Sequence, residues 1–162
     1  MGSLLKNSSV EHRGSEGNSA DGGYELLLQL SFPAIPDRLR LVRPMVRASA
    51  QLCGFTVEDS LDVVLAIDEA CANIIEHAYH WRGDAEIVLT IFKIEGGIQF
   101  QLRDFAPPVS SRSVQPRNLD DIMPGGLGTH FIRSIMDDTR FMRAPDGEGN
   151  ILELTKRAMV PS

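Results

Sequence analysis

The chain has 162 residues, 43% of them hydrophobic, and a formal net charge of −6. That length and apolar content suit one globular domain with its own core and exclude wholesale disorder. The acidic balance argues against direct nucleic-acid binding, which needs basic surface to neutralise phosphates, and no run approaches the ~20 apolar residues that span a bilayer.

Met1 to Gly23 is rich in Ser, Gly and Asn and has no sustained apolar run. Such a stretch cannot offset its ordering entropy, so residues 1–23 are expected to form a flexible segment and residues 24–158 the folded domain. Leu4-Leu5 is too short for the apolar part of a signal peptide. The two cysteines, Cys53 and Cys71, fall in apolar helical patterns and in no metal-like spacing. Buried free thiols, and with them a reducing, cytoplasmic compartment, are the expectation.

Tyr24 to Phe32 reads as a strand, with a helix as the alternative because of its leucines. Pro33 and Pro36 end it, and Pro36 suits the first turn of a helix. From Leu39, the residues Val42, Val46, Ala50 and Cys53 follow helical spacing. Pro44 is expected to kink this helix or to mark its true start, and Gly54 closes it. Thr56 opens a second helix, with Asp59 completing a variant of the capping box, and that helix is expected to reach about Tyr79. Ala85 to Ile94 and Ile98 to Asp104 alternate apolar and polar residues around Gly96-Gly97, a hairpin signal. Phe105 to Pro124 is long and Pro-rich, a length at which loops are often functional lids. Gly125-Gly126-Leu127-Gly128 opens another helix through Ile132, Ile135 and Met136. Thr139 to Arg143 and Asn150 to Lys156 form a closing hairpin across Asp146-Gly147-Glu148-Gly149. Hairpin-joined strands with helices segregated between them suggest an α+β sandwich.

The second helix carries the most chemistry. Val64, Ile67, Cys71, Ile74, Ile75 and Ala78 form its apolar stripe, while Glu69, Asn73 and His77 step by single turns along roughly the opposite face. A solvated face explains Glu69 alone, but it explains Asn73 poorly, because Asn is a middling helix former. A carboxylate and an amide one turn apart suit a metal–nucleotide site. The amide oxygen can ligate Mg²⁺ and the carboxylate can accept a proton from an attacking hydroxyl. His77 reads better as a histidine favoured by the helix dipole near its C-terminal end. Glycine amides at 125, 126 and 128, ahead of a helix N-terminus, can hold phosphate oxygens, although a plain loop-to-helix junction reads the same way. Lys6, Lys93 and Lys156 do not follow a glycine-rich loop, which disfavours the P-loop class. Arg40, Arg43 and Arg47 share one face of the first helix, either as a solvated face or as a dock for an acidic partner.

The run Asp68-Glu69-Ala70-Cys71-Ala72-Asn73-Ile74-Ile75-Glu76-His77-Ala78-Tyr79 resembles the N-box of the Bergerat-fold (GHKL) ATPases, in the form found in the anti-sigma-factor serine kinases. The likeness extends to Gly125-Gly126-Leu127-Gly128, to Phe131 through Asp137, and to Gly149-Asn150 and Lys156-Arg157, so that it covers roughly residues 25–157. It implies a two-layer α/β sandwich with a mixed sheet and helices on one face, binding ATP and Mg²⁺. Asn73 is then the Mg²⁺ ligand and Glu69 the catalytic carboxylate. Asp104 is the acceptor for the adenine amine, with Ala106 beside it, and Gly125, Gly126, Leu127, Gly128 and Thr129 close over the phosphates. An adenine amine donates where guanine presents a carbonyl, so an acceptor there discriminates between the bases. As a bare residue, Asp104 reads better as a turn-initiating aspartate.

The resemblance further implies a bacterial serine/threonine kinase that phosphorylates an anti-anti-sigma (STAS-type) partner, binds a sigma factor and forms a homodimer. The chain departs from the pattern at Ala106, where the family usually has glycine, and at Pro124, where some members have arginine. Those departures, with Thr129-His130, motivate a second reading: a module that sequesters a sigma factor or other regulator without catalysis. The catalytic half of a histidine kinase ranks last, because the start of the chain offers no phosphoacceptor hairpin.

Overall fold

The computed structural model describes residues 23–107 and 127–158. The expected flexible stretch up to residue 22, and Pro124, Gly125 and Gly126, lie outside the described residues. In chain order the elements are β1 (Glu25–Pro33), a 3₁₀ turn (Pro36–Arg38), α1 (Leu39–Leu52), α2 (Val57–Asn73) continued by a π turn (Ile74–Ala78), β2 (Glu86–Ile94), β3 (Gly97–Asp104), α3 (Leu127–Ile135), β4 (Asp138–Arg143) and β5 (Asn150–Arg157).

The strands form one sheet in the order β1-β2-β3-β5-β4, and every pairing is antiparallel. The expected mixed sheet is therefore corrected. β3 and β4 do run parallel, joined by the crossover that carries α3, but β5 enters between them and pairs antiparallel with both.

Alternation along the strands sends one set of side chains to the helical layer. Leu30, Leu89, Leu102, Leu152 and Phe141 lie in one cross-strand row, and Leu28, Ile91, Phe100 and Leu154 in the next. The row at the far end of the same face reads Phe32, Ile87, Asp104 and Asn150. Two polar groups thus stand where the apolar rows would otherwise continue. Against the sheet, α1 buries Leu39, Val42 and Val46, and α2 buries Val63, Ile67 and Cys71.

Thr56 caps α2 as its sequence suggests. Its hydroxyl oxygen accepts the Asp59 N–H at 3.0 Å and its O–H donates to the Asp59 carboxylate at 2.8 Å. Pro44 neither starts nor ends α1. It lies on the exposed side of a continuous helix, where water can reach the carbonyl that proline cannot serve. The second helix departs from expectation at its end. Regular α geometry stops at Asn73, and the Tyr79 N–H donates to Ile74 O at 3.0 Å, five residues back. Cys71 is wholly buried and Cys53 half-buried, both as free thiols, and burial pushes the Cys71 thiol well above its usual range. Among the described residues no helix is long and apolar enough to cross a membrane.

Candidate nucleotide site

α2 presents Glu69 and Asn73 half-buried, and the π turn leaves His77 exposed. Asn73 is the last residue of α2, and its side-chain amide has no hydrogen-bond partner among the described residues. Glu69 lies directly against Gly128 in the first turn of α3. A Cβ at Gly128 would overlap the Glu69 carboxylate, so glycine is what lets the carboxylate stand in this place. A carboxylate near a helix N-terminus is favoured by the unpaired N–H groups and the dipole. Leu127 begins α3, and Thr129 is buried in its first turn.

A second group of residues surrounds Asp104, the last residue of β3. Its side chain belongs to a residue only 3% exposed. Oδ1 accepts the Ala106 N–H at 2.9 Å and the Asn150 Nδ2–H at 2.9 Å. Burial pushes the Asp104 carboxyl above its usual range, and those two hydrogen bonds pull the other way. Among the described residues both bonds land on the same oxygen, which leaves Oδ2 as an acceptor with no donor of its own. Gly149 approaches from β5's side with φ +81°, and a Cβ there would overlap the Asp104 carbonyl and lie 2.7 Å from Phe105 Cα. Backbone atoms cannot swing away as a side chain can, so this position requires glycine both for its left-handed conformation and for the close approach.

Ala106 fits without backbone strain. Among the described residues the non-glycine positions with positive φ are His80 and Trp81, so the alanine at 106 does not occupy a left-handed conformation that only glycine would favour. Its methyl is buried beside the Asp104 turn.

Two further side chains fix this turn. The Tyr79 hydroxyl donates to Glu86 O at 2.6 Å and accepts the Phe105 N–H at 2.7 Å. Arg103 stacks its guanidinium 4.7 Å from the Phe105 ring centroid and donates from Nη2 to Asp146 Oδ2 at 2.6 Å and Glu148 O at 2.9 Å. A cavity of about 570 Å³ opens against the turn, walled by Tyr79, His80, Glu86, Phe105 and Ala106 among others. Glu69 and Asn73 are not among its walls.

The expected residues thus gather in two groups, Glu69 with Gly128 and Asp104 with Ala106. α2 connects them, with Glu69 in its body and Tyr79 just beyond the π turn. Gly125 and Gly126 lie outside the described residues. The roles of Tyr79 and Arg103 have no signal in the sequence pattern. Asn150 stands out only as part of the Gly149-Asn150 pair, and its partner emerges from the β3–β5 register.

Residues 32–156 match the family model described as the histidine kinase-like ATPase domain. Curated relatives 28% identical over 137 residues, spanning 80% of this chain and 83% of their own, are named serine-protein kinase RsbW in Bacillus cereus strain B4264 and in Bacillus anthracis. A protein of the same name in Bacillus thuringiensis strain Al Hakam matches at the same 28% identity and coverage.

Proposed function

We propose that this chain, which belongs to the histidine kinase-like ATPase family, is an ATP-dependent serine/threonine protein kinase built on residues 24–158. In this reading it works in the bacterial cytoplasm as an anti-sigma regulator that phosphorylates an anti-anti-sigma (STAS-type) partner and binds a sigma factor, itself a homodimer. The observation that carries the proposal is the placement of α2. One helix bears Glu69 against the glycine-led N-terminus of α3 and, ten residues on, holds the turn that contains Asp104.

The residues present fit ATP and Mg²⁺. Asp104 Oδ2 is the acceptor for the adenine amine, and the Asn73 amide oxygen is a hard donor of the kind Mg²⁺ takes. The amides of Leu127, Gly128 and Thr129 in the first turn of α3, with those of Gly125 and Gly126 that precede them in the sequence, are the donors for phosphate oxygens. When bound, Mg-ATP supplies the phosphoryl group. The chain's own part is positioning and charge stabilisation, as in phosphoryl transfer generally. Glu69 orients the substrate serine or threonine hydroxyl and takes its proton on a carboxylate oxygen. Asp104, buried and held by Asn150, rejects guanine, whose carbonyl would face an acceptor.

Glu69→Ala tests the assignment in the presence of a STAS-type substrate. Transfer should fall by at least about a hundredfold, the usual worth of a positioned base, while Mg-ATP binding stays within about threefold. Transfer at the wild-type rate would rule the role out. The alternative of a noncatalytic sequestering module draws on Ala106 and on Thr129-His130, and the absence of a left-handed conformation at Ala106 removes the backbone-strain part of that support.

A further inference from the structure

We infer that Tyr79 is the positioning residue of the base-reading turn: its hydroxyl, delivered by the π turn that ends α2, sets the backbone on which Asp104 presents its carboxylate. The inference rests on the reading of Asp104 as the adenine acceptor and adds a second residue to it.

Phe105 follows the last residue of β3, so its N–H lies beyond the paired ladder with β5. The Tyr79 hydroxyl satisfies that N–H and ties it to Glu86 O at the start of β2. The next amide, Ala106 N–H, turns back to Asp104 Oδ1. Two successive amides after the carboxylate are thereby fixed, one by Asp104 itself and one by Tyr79. The ring of Phe105 is 42% exposed and carries the Arg103 guanidinium on its face, a contact that leaves the Phe105 N–H to the Tyr79 hydroxyl.

Tyr79 reaches this place because α2 does not continue as an α-helix. One residue inserted into a helix rotates every later side chain by about 100°. Beyond it, His80 and Trp81 take φ of 49° and 63°, and the Trp81 N–H donates to Ile75 O at 2.9 Å. Consecutive left-handed residues of this size are strained and persist where surrounding structure overrides their preference. The buried tyrosine is what that segment secures. Burial also raises the Tyr79 phenol above its ordinary range, which keeps the proton that the bond to Glu86 O requires.

Tyr79→Phe keeps the ring and removes the hydroxyl. In the nucleotide-free variant, amide hydrogen exchange at Phe105 should quicken by at least about tenfold, as expected when a buried donor loses its acceptor. Mg-ATP should bind about tenfold more weakly, while Mg-GTP binding changes little, so the ratio between the two nucleotides narrows. A lowered melting temperature with an unchanged ratio would mean that the hydroxyl serves packing alone, and the inference would fail. A wild-type protein that binds neither nucleotide would instead remove the reading of Asp104. Two measurements do not need the phenylalanine variant to fold. In the wild type, the Phe105 amide should exchange as slowly as those inside β3, and an unprotected amide overturns the inference. Replacing both tyrosines, Tyr24 and Tyr79, by 3,5-difluorotyrosine lowers the phenol pKa without changing shape. The nucleotide ratio should then fall with rising pH where the unlabelled protein's does not, and a pH-independent ratio counts against the role.

Discussion

Asp104 concentrates opposing effects in one side chain. Desolvation disfavours its charge, while the Asn150 amide and the Ala106 N–H favour it, and burial dominates. Its folded-state pKa therefore lies above the ordinary 3.8. A carboxyl of that kind binds its proton more readily when folded, so its contribution to stability is full below the ordinary pKa and is lost as pH rises through the folded value. Asp104→Asn keeps an acceptor for Ala106 N–H and Asn150 and removes the titration. The stability of the variant relative to wild type should then increase as pH rises from about 4 to about 7, measured by urea melts at each pH. A constant difference over that range would show that the carboxylate is not desolvated. The partner of this residue could not be read from the chain. Asn150 is 46 residues away, and only the placement of β5 next to β3 makes the two neighbours. The position of the acidic residue at the end of an alternating strand was legible, whereas its reading as a site residue came from the resemblance.

At the scale of elements, α2 began and the helical run ended about where local chemistry said, at Thr56 and Tyr79, but its last turn is a π turn rather than α. The Thr56 cap is satisfied within four residues, so the sequence contains all of it. The π turn depends on where Tyr79 must go to meet Glu86 and Phe105, and no window of the sequence contains that requirement. The sheet shows the same division. Both hairpins were visible from alternation and turn glycines, while the entry of β5 between β3 and β4 is a property of the assembled sheet. The contact between α2 and α3 gives a test at this level. In Gly128→Ala, the new methyl meets the Glu69 carboxylate, the far end of a flexible side chain that can swing aside. Alanine also favours the helix by about 1 kcal/mol over glycine. Stability should therefore change by less than about 1 kcal/mol, while phosphoryl transfer falls by at least about tenfold because Glu69 is displaced. The double variant with Glu69→Ala should be no slower than Glu69→Ala alone, since both act through one group. Transfer by Gly128→Ala at the wild-type rate would show that the carboxylate need not stand where it does.

For the whole molecule, the sandwich sets a polar pair at the end of a buried face whose neighbouring rows are apolar. Phe32 and Ile87 continue the core into that row, and Asp104 and Asn150 interrupt it. An unliganded fold gains nothing from two polar groups in such a place, because each must find a hydrogen bond or lose stability. In the proposed reading a base amine would supply the remaining donor, so that the architecture and the proposed chemistry coincide at this corner. Calorimetric titration of the wild type and Asp104→Asn with Mg-ATP and Mg-GTP examines that coincidence directly. The wild type should bind Mg-ATP at least about a hundredfold more tightly than Mg-GTP, and Asp104→Asn, folded by circular dichroism, should lose most of that preference. Equal binding of the two nucleotides by the wild type, or an unchanged preference in the variant, would contradict the assignment of Asp104 as the residue that reads the base.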